Sequence, residues 1–420
     1  MNHVHTRRVG SWIDLLAHLP ETAPVVAWLR NGEGLVGWGE AIRIPVGTGD
    51  DRFARAQEDF TAFCASLHIV DFVNRAGTGP VAFGSFAFDP RSSDSVLVVP
   101  RVILAHRDGH SWLTTIGGSE HFLESMPRMA DRSASRIRYF DGARPVDEWL
   151  DTVETAVGVI RSGALAKVVL ARDEIAVSSE RIDVRVLLRR LVRRFPECFA
   201  FACDGLVGAT PELLVRRTGA EIHSIVLAGS ANRGTSPQED HRIGTALLHS
   251  PKNLEEHHLA VQSVARTLES HCAVLDVAAH PSLLTLTNVQ HLATQLTGRL
   301  AADASVLDLV AALHPTAAVC GTPTADALEL IRGIEGMDRG RYAGPVGWLD
   351  ARGDGEWGIA LRCAEITGNK ARLFAGCGIV AASSPSAELE ESEIKLGAMR
   401  YALDGLDADQ RGAGLKNEFA

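Results

Sequence analysis

Apolar residues recur along the chain at two periods, and the places where one gives way to the other mark its elements. Trp149, Leu150, Val153, Ala156, Val157 and Ile160 fall at helical spacing, with Gly163 placed as a C-terminal cap. Val186, Leu187, Leu191, Val192 and Phe195 repeat the pattern, and the arginines between them read as a solvated polar face. Ser250-Pro251 supplies an N-cap and a first-turn proline for a long amphipathic helix through Leu268. Ser384-Pro385 does the same for a last helix running towards Leu403.

Strand-like runs fill much of the remainder. Residues 25–29 and 35–38 flank Asn31-Gly32, a hairpin turn. Residues 82–89 read as a strand interrupted by glycine, and 167–172, 199–203, 213–216 and 222–227 as further strands. Residues 343–350 and 356–366 predict a second hairpin around Ala-Arg-Gly-Asp-Gly, and 132–145 is polar and turn-rich, a candidate junction. These strands outnumber what βαβ alternation would give, so the pattern predicts a mixed α+β architecture.

At 420 residues, 46% hydrophobic and 22% charged, the chain can bury a large core. Its formal charge of −10 argues against nucleic acid as a partner, because phosphate binding needs a basic face. An anionic small substrate needs only a locally basic pocket. No run approaches the ~18 apolar residues of a membrane span, and no leader pattern follows the charged start. Cys64, Cys198, Cys203, Cys272, Cys320, Cys363 and Cys377 are scattered, with no CxxC pair. They suggest neither a zinc site nor a disulfide framework, and the expectation is a reducing cytoplasm.

Two acidic clusters stand at helix starts: Glu255-Glu256-His257-His258, and Glu388, Glu390, Glu391 and Glu393. Carboxylates there favour the helix dipole, so plain N-terminal charge is one reading. Glu388 and Glu391 share a face at i,i+3 and Lys395 joins Glu391 at i,i+4, so a hard-oxygen site suited to Mg²⁺ is the other. In 208–213 a carboxylate, Glu212, directly follows Thr-Pro, whose fixed turn would hold it in place. Lys167 opens an apolar strand, where desolvation favours a neutral amine able to act as a base; strand-terminal lysines also simply snorkel. Glycines in 228–230 and 375–378 let backbone amides approach an anion, or serve as turns, and fit neither a P-loop nor a dinucleotide fingerprint. His291 sits in a strand-like run, where a histidine bonded to backbone is the ordinary outcome.

Taken in order, KVVLAR (167–172), GATPELLVRR (208–217), LAGSANRG (227–234), KNLEEH (252–257), QHLAT (290–294), LHPTAAVCGTP (313–323), GRYAGPVGW (340–348), IALRCAEI (359–366) and AGCGIVAASSPSAELEESEIKL (375–396) resemble the chorismate-binding enzyme family. Each is weak alone; nine in sequence are not. The likeness spans about residues 149–403, which suggests a catalytic region over 141–404, a divergent N-terminal part of the fold over 1–140 and a flexible tail over 405–420. GSFAFDP (84–90) also looks like the family's early strand.

The resemblance implies two facing β-sheets wrapped by helices, with the active site between them and chorismate as substrate. On it, Lys167 matches the base that activates water for attack at C2, and Glu212 the acid that protonates the departing C4 hydroxyl. Glu256 and Glu391 match Mg²⁺ ligands, and Glu388 an outer carboxylate. Asn253 stands where some relatives carry a further acid. Arg362 and Tyr342 match groups holding the enolpyruvyl carboxylate; Gly229, Ser230, His291, Gly376 and Lys395 match residues around the ring. Aminodeoxychorismate synthases carry a nucleophilic lysine where this chain has Ala228. Anthranilate and salicylate synthases usually carry a threonine where it has Ala318. The tryptophan-feedback motif of anthranilate synthases is expected near the start; the similar string Phe122-Leu-Glu-Ser125 comes too late and reads as ordinary helix. Isochorismate synthases resemble the chain best, with salicylate synthase as the alternative and a non-catalytic paralogue behind it. No glutaminase subunit is expected.

Overall fold

The computed structural model describes residues 3–10, 13–21, 23–118, 136–287 and 289–405. The helix expected at Phe122–Ser125 and the tail after residue 405 lie outside them. No helix among the described residues is long and apolar enough to cross a membrane.

Period-two alternation decides the layering. Along the strand Val25–Arg30, Val26 and Trp28 face one core while Ala27 and Leu29 face another. Phe199–Cys203 repeats this with Phe199 and Phe201 against Ala200 and Ala202. The bulky face meets a second sheet, whose Leu213, Val215, Trp348 and Trp357 share its core. The small-residue face receives the helices Val184–Arg194 and Pro385–Asp404 through Leu188, Leu191, Leu396 and Met399. The fold is α+β, two facing sheets with helices outside.

Among the described residues one sheet has thirteen strands and the other ten. The first runs from Ile137–Asp141 through Lys167–Ser178, Lys370–Ile379, Cys363–Thr367, Leu206–Thr210 and Phe199–Cys203 to Val25–Arg30 and further N-terminal strands. The second runs from Cys272–Val277 through Val289–Leu300, Glu221–Asn232, Leu213–Thr218, Gly355–Ile359 and Pro345–Asp350 to Val81–Ser85. The N-terminal third therefore adds strands to both sheets. A buried carboxylate ties them together: Glu356 in the second sheet accepts from Trp28 Nε1 of the first at 2.7 Å and pairs with Arg107 and Arg216.

One antiparallel ribbon passes from sheet to sheet. Leu206–Thr210 pairs with Cys363–Thr367 in the first, and the same two chains continue as Leu213–Thr218 paired with Gly355–Ile359 in the second. This corrects the single strand expected over 356–366. The run is mostly apolar, but it breaks at Ala360-Leu361-Arg362, where Arg362 takes φ 48°, a left-handed conformation unusual for arginine. Pro211-Glu212 makes the matching break opposite.

Other expectations change in detail. The strand expected over 222–227 extends to Glu221–Asn232, with a bulge where Gly229 adopts φ 78°. The strand expected over 82–89 ends at Ser85. The junction of 132–145 contains the strand Ile137–Asp141, paired with residues 174–178. The arginine-rich helix face is not wholly solvated: Arg185 is buried on Asp183, and Arg190 donates to the last carbonyls of the neighbouring helix at Ala402 and Leu403. Both serine caps form, Ser250 accepting from Asn253 N and Ser384 from Ala387 N.

Candidate active site

The crossing ribbon sets two side chains facing one cavity of about 280 Å³, Glu212 from one chain and Arg362 from the other. The ribbon stays tight there, with Ala209 N donating to Arg362 O and Ile359 N to Glu212 O at 3.2 Å each. Glycine makes the approach possible. A Cβ on Gly358 would lie 2.6 Å from Glu212 O, and one on Gly208 2.8 Å from Arg362 O. The Arg362 guanidinium has no hydrogen-bond partner among the described residues and is free to meet an anion.

Lys167 and the two glycines of 376–378 come from adjacent strands, Lys167–Ser178 and Lys370–Ile379. Gly376 and Gly378 share one face of theirs. A Cβ on Gly378 would meet Lys167 Cε at 2.8 Å, and one on Gly376 the Tyr342 hydroxyl at 2.9 Å. The glycines thus give the lysine and tyrosine room to stand over the strand, rather than serving as turns. Tyr342 is buried and stacks on Phe374, centroids 5.0 Å apart. Ala343 beside it has φ 62°, a second strained residue at this site.

The helix Pro251–Glu269 reaches the cavity through Glu256. Its rotation is fixed by buried His257, whose Nδ1–H donates to Ala228 O at 3.0 Å and whose Nε2 accepts from the Thr294 hydroxyl at 2.7 Å. Glu256 accepts from Lys167 Nζ at 2.6 Å, while Glu255 is exposed. From the last helix Lys395 donates to Gly376 O at 2.7 Å and pairs with Glu391 at 2.5 Å. His291 Nδ1 bonds the Ser230 hydroxyl at 2.7 Å, across the bulge at Gly229, and its Nε2 is buried without a hydrogen-bond partner among the described residues. A backbone bond at Gly229 also reaches the ring, as expected for a histidine in a strand, and the Ser230 hydroxyl adds to it. Ala228, Gly229 and Ala318 complete the lining. The residues matched to a base, an acid, metal ligands and substrate contacts therefore line one cavity, while Glu255, Glu390 and Glu393 of the acidic clusters do not.

Electrostatics differentiate the groups. Burial pushes the Glu212 carboxyl up to about 7, against the pull of Lys167 and Arg362. Burial, then Arg362 and Lys395, push His291 down to about 3, so its ring is neutral. Burial also raises Glu388, with the like charge of Glu391 adding to it. At Glu391 burial pushes up, but Lys395, Arg362 and Lys167 outweigh it and hold the carboxyl below its usual range.

Glu388 and Glu391, with the Cys377 thiol, offer ligand atoms within 4.8 Å of one another. Two close carboxylates, one raised by burial and then by its neighbour's charge, suit a hard divalent cation; a buried thiol pushed up to about 12 does not. Glu256 stands apart from this group, on Lys167. The sequence reading missed Cys377, which belongs to this cluster, and Lys252 and Arg339, which line the cavity. Arg339 is held by Glu335 and by the carbonyls of Val169 and Val319, so it builds the wall. Lys252 was visible as the lysine opening KNLEEH.

Comparison with known proteins matches this arrangement to one family. The family model described as chorismate binding enzyme matches residues 22–404. The chain belongs to the chorismate-binding enzyme family. It is 36% identical over 375 residues to isochorismate synthase MenF of Bacillus subtilis, covering 83% of this chain and 80% of that one. It is 35% identical over 427 residues to the salicylate biosynthesis isochorismate synthase of Pseudomonas aeruginosa, covering 94% and 87%. The solved structure of MenF, the menaquinone-specific isochorismate synthase of Escherichia coli, superposes with a TM-score of 0.79 at 26% identity, covering 96% of this chain and 95% of that one.

Proposed function

We propose that the chain is an isochorismate synthase that converts chorismate to isochorismate with Mg²⁺. The observation that carries the reading is the placing of a lysine amine and a buried carboxyl raised to about 7 on the walls of one cavity. The reaction moves a hydroxyl by letting one arrive as another leaves, so it needs a base and an acid at two positions on the substrate. Lys167 takes a proton from the water whose oxygen bonds to C2. The ring double bonds shift, the C4–O bond breaks, and Glu212 gives its proton to the departing hydroxyl, which leaves as water. Burial, by raising this carboxyl to about 7, keeps a proton available on it near neutral pH.

Arg362, unpaired among the described residues, suits the enolpyruvyl carboxylate, with Tyr342 beside it. His291, Ser230, Gly229, Gly376 and Lys395 surround the ring. Lys167, Lys252, Arg362 and Lys395 face Glu256, Glu388 and Glu391 across the cavity, Arg339 is offset by Glu335, and Glu212 is uncharged when it acts as the acid, so the side chains leave about one positive charge, too little for a dianion. Glu256 and Glu391, with Glu388 outside them, would hold the Mg²⁺ that supplies this missing positive charge. Ala318 presents a methyl group, which can neither donate a hydrogen bond nor carry a proton towards a second, pyruvate-eliminating step. The test is chromatography of the products from chorismate and Mg²⁺, with pyruvate followed by a lactate dehydrogenase couple. Isochorismate without pyruvate, and without a need for glutamine or ammonia, is expected. Stoichiometric pyruvate would replace this reading with salicylate synthase, and full activity in excess chelator would remove the metal from it.

A further inference from the structure

Glu212 lies between two cavities. One is the site itself; behind it is a second, of about 10 Å³, also bordered by Ser224, Thr316 and Ala318. The Thr316 hydroxyl is buried there with no hydrogen-bond partner among the described residues. Ser224 Oγ donates to Leu214 O at 2.7 Å and keeps lone pairs to accept. The Glu212 carboxyl itself receives no hydrogen bond from any described residue. Ile225, Val226, Ala260 and Val264 make the rest of the wall apolar. A space of about one water, bordered by three polar groups, is the ordinary setting of a structural water.

We infer that this cavity holds a single water bridging Thr316 to Glu212, and that Thr316 is a positioning residue for the acid. The inference rests on the acid role of Glu212 proposed above. The water accepts from the Thr316 hydroxyl and donates to the carboxyl oxygen turned away from the substrate, leaving the proton on the oxygen that faces it. Once the proton has passed to the C4 hydroxyl, the same water steadies the carboxylate left behind. The charged groups facing Glu212 are Lys167 and Arg362, with Glu256 bonded to Lys167; the strand and helix behind turn only apolar groups and Ser224 towards it.

Two measurements test this. A high-resolution crystal structure of the unmodified chain should show one water within hydrogen-bond distance of Thr316 Oγ1 and a Glu212 carboxyl oxygen. Thr316→Val keeps the shape and removes the hydroxyl. It should lower kcat on the order of tenfold, the loss expected for one hydrogen bond to a developing charge, with KM little changed. Without that donor the carboxyl holds its proton more tightly, so the alkaline limb of the kcat profile should move up in pH. Thr316→Ser should restore both. An empty cavity overturns the inference, as does Thr316→Val with unchanged kcat and pH limb. Equal losses in Val and Ser with no movement of the limb would reduce Thr316 to packing and overturn it too. If the unmodified chain makes no isochorismate the functional reading fails, while the water is still judged by the density.

Discussion

Glu212→Gln should separate what this protein needs for turnover from what it needs for stability. The folded chain holds the Glu212 proton to about pH 7, whereas an unfolded glutamate releases it near 4.5. Between those values the unfolded state binds fewer protons than the folded one, so stability falls as pH rises through that window. The penalty is absent below 4.5 and complete above 7. A rise of two to three pH units, at about 1.4 kcal/mol each, makes it about 3 kcal/mol. Glutamine has nearly the same shape and carries no charge. The variant should therefore be more stable than the parent by up to about 3 kcal/mol at pH 8, narrowing to about 1 kcal/mol or less at pH 5. Denaturant titration at the two pH values reads this directly. Turnover should meanwhile fall ~10²–10⁴-fold, the usual share of a general acid. A gap that does not change with pH, or near-normal turnover, would refute the argument that a buried, titrating carboxyl is the acid.

Lys167→Ala should lose turnover to a similar degree. Gly378→Ala should mimic part of that loss without touching the lysine, because its Cβ would sit 2.8 Å from Lys167 Cε; kcat should drop at least about tenfold with the melting temperature little changed. Glu256→Ala and Glu391→Ala should raise the Mg²⁺ concentration needed for half-maximal activity, while the exposed Glu255→Ala and Glu390→Ala should leave it alone. Equal shifts in all four would mean bulk charge rather than ligation. Ala318→Thr should leave isochorismate as the main product, with at most a small increase in pyruvate by the lactate dehydrogenase couple.

What was legible in the sequence was whatever a short stretch determines. The serine caps at Ser250 and Ser384 and the Asn31-Gly32 hairpin are local chemistry and form as expected. Pro211 marked Glu212 as fixed before its surroundings were visible. What escaped depends on partners distant in sequence. Residues 357–361 and 363–364 are apolar on both sides of Arg362, because the run is buried in one sheet before the break and in the other after it; periodicity cannot see that change. The pairing of Lys167 with Glu256 joins residues 89 apart, so the sequence offered a base and a metal ligand but not their bond. Arg190 looks like surface charge until the helix Pro385–Asp404 packs against it, and Arg185 until Asp183 and the distant Leu19 carbonyl take it up. Cys377 reads in the sequence as one of seven scattered thiols, and only the turn of the helix Pro385–Asp404 brings Glu388 and Glu391 to its side.

The most direct test of the central claim is the origin of the new hydroxyl. Chorismate should be turned over with Mg²⁺ in water enriched in oxygen-18, and the isochorismate analysed by mass spectrometry at early conversion. If Lys167 delivers water to C2 while Glu212 expels the C4 hydroxyl, each product molecule carries one solvent oxygen, at C2. Isochorismate that keeps only the oxygen of its own C4 hydroxyl would contradict the account, because neither the lysine nor the glutamate would then have the role given to it.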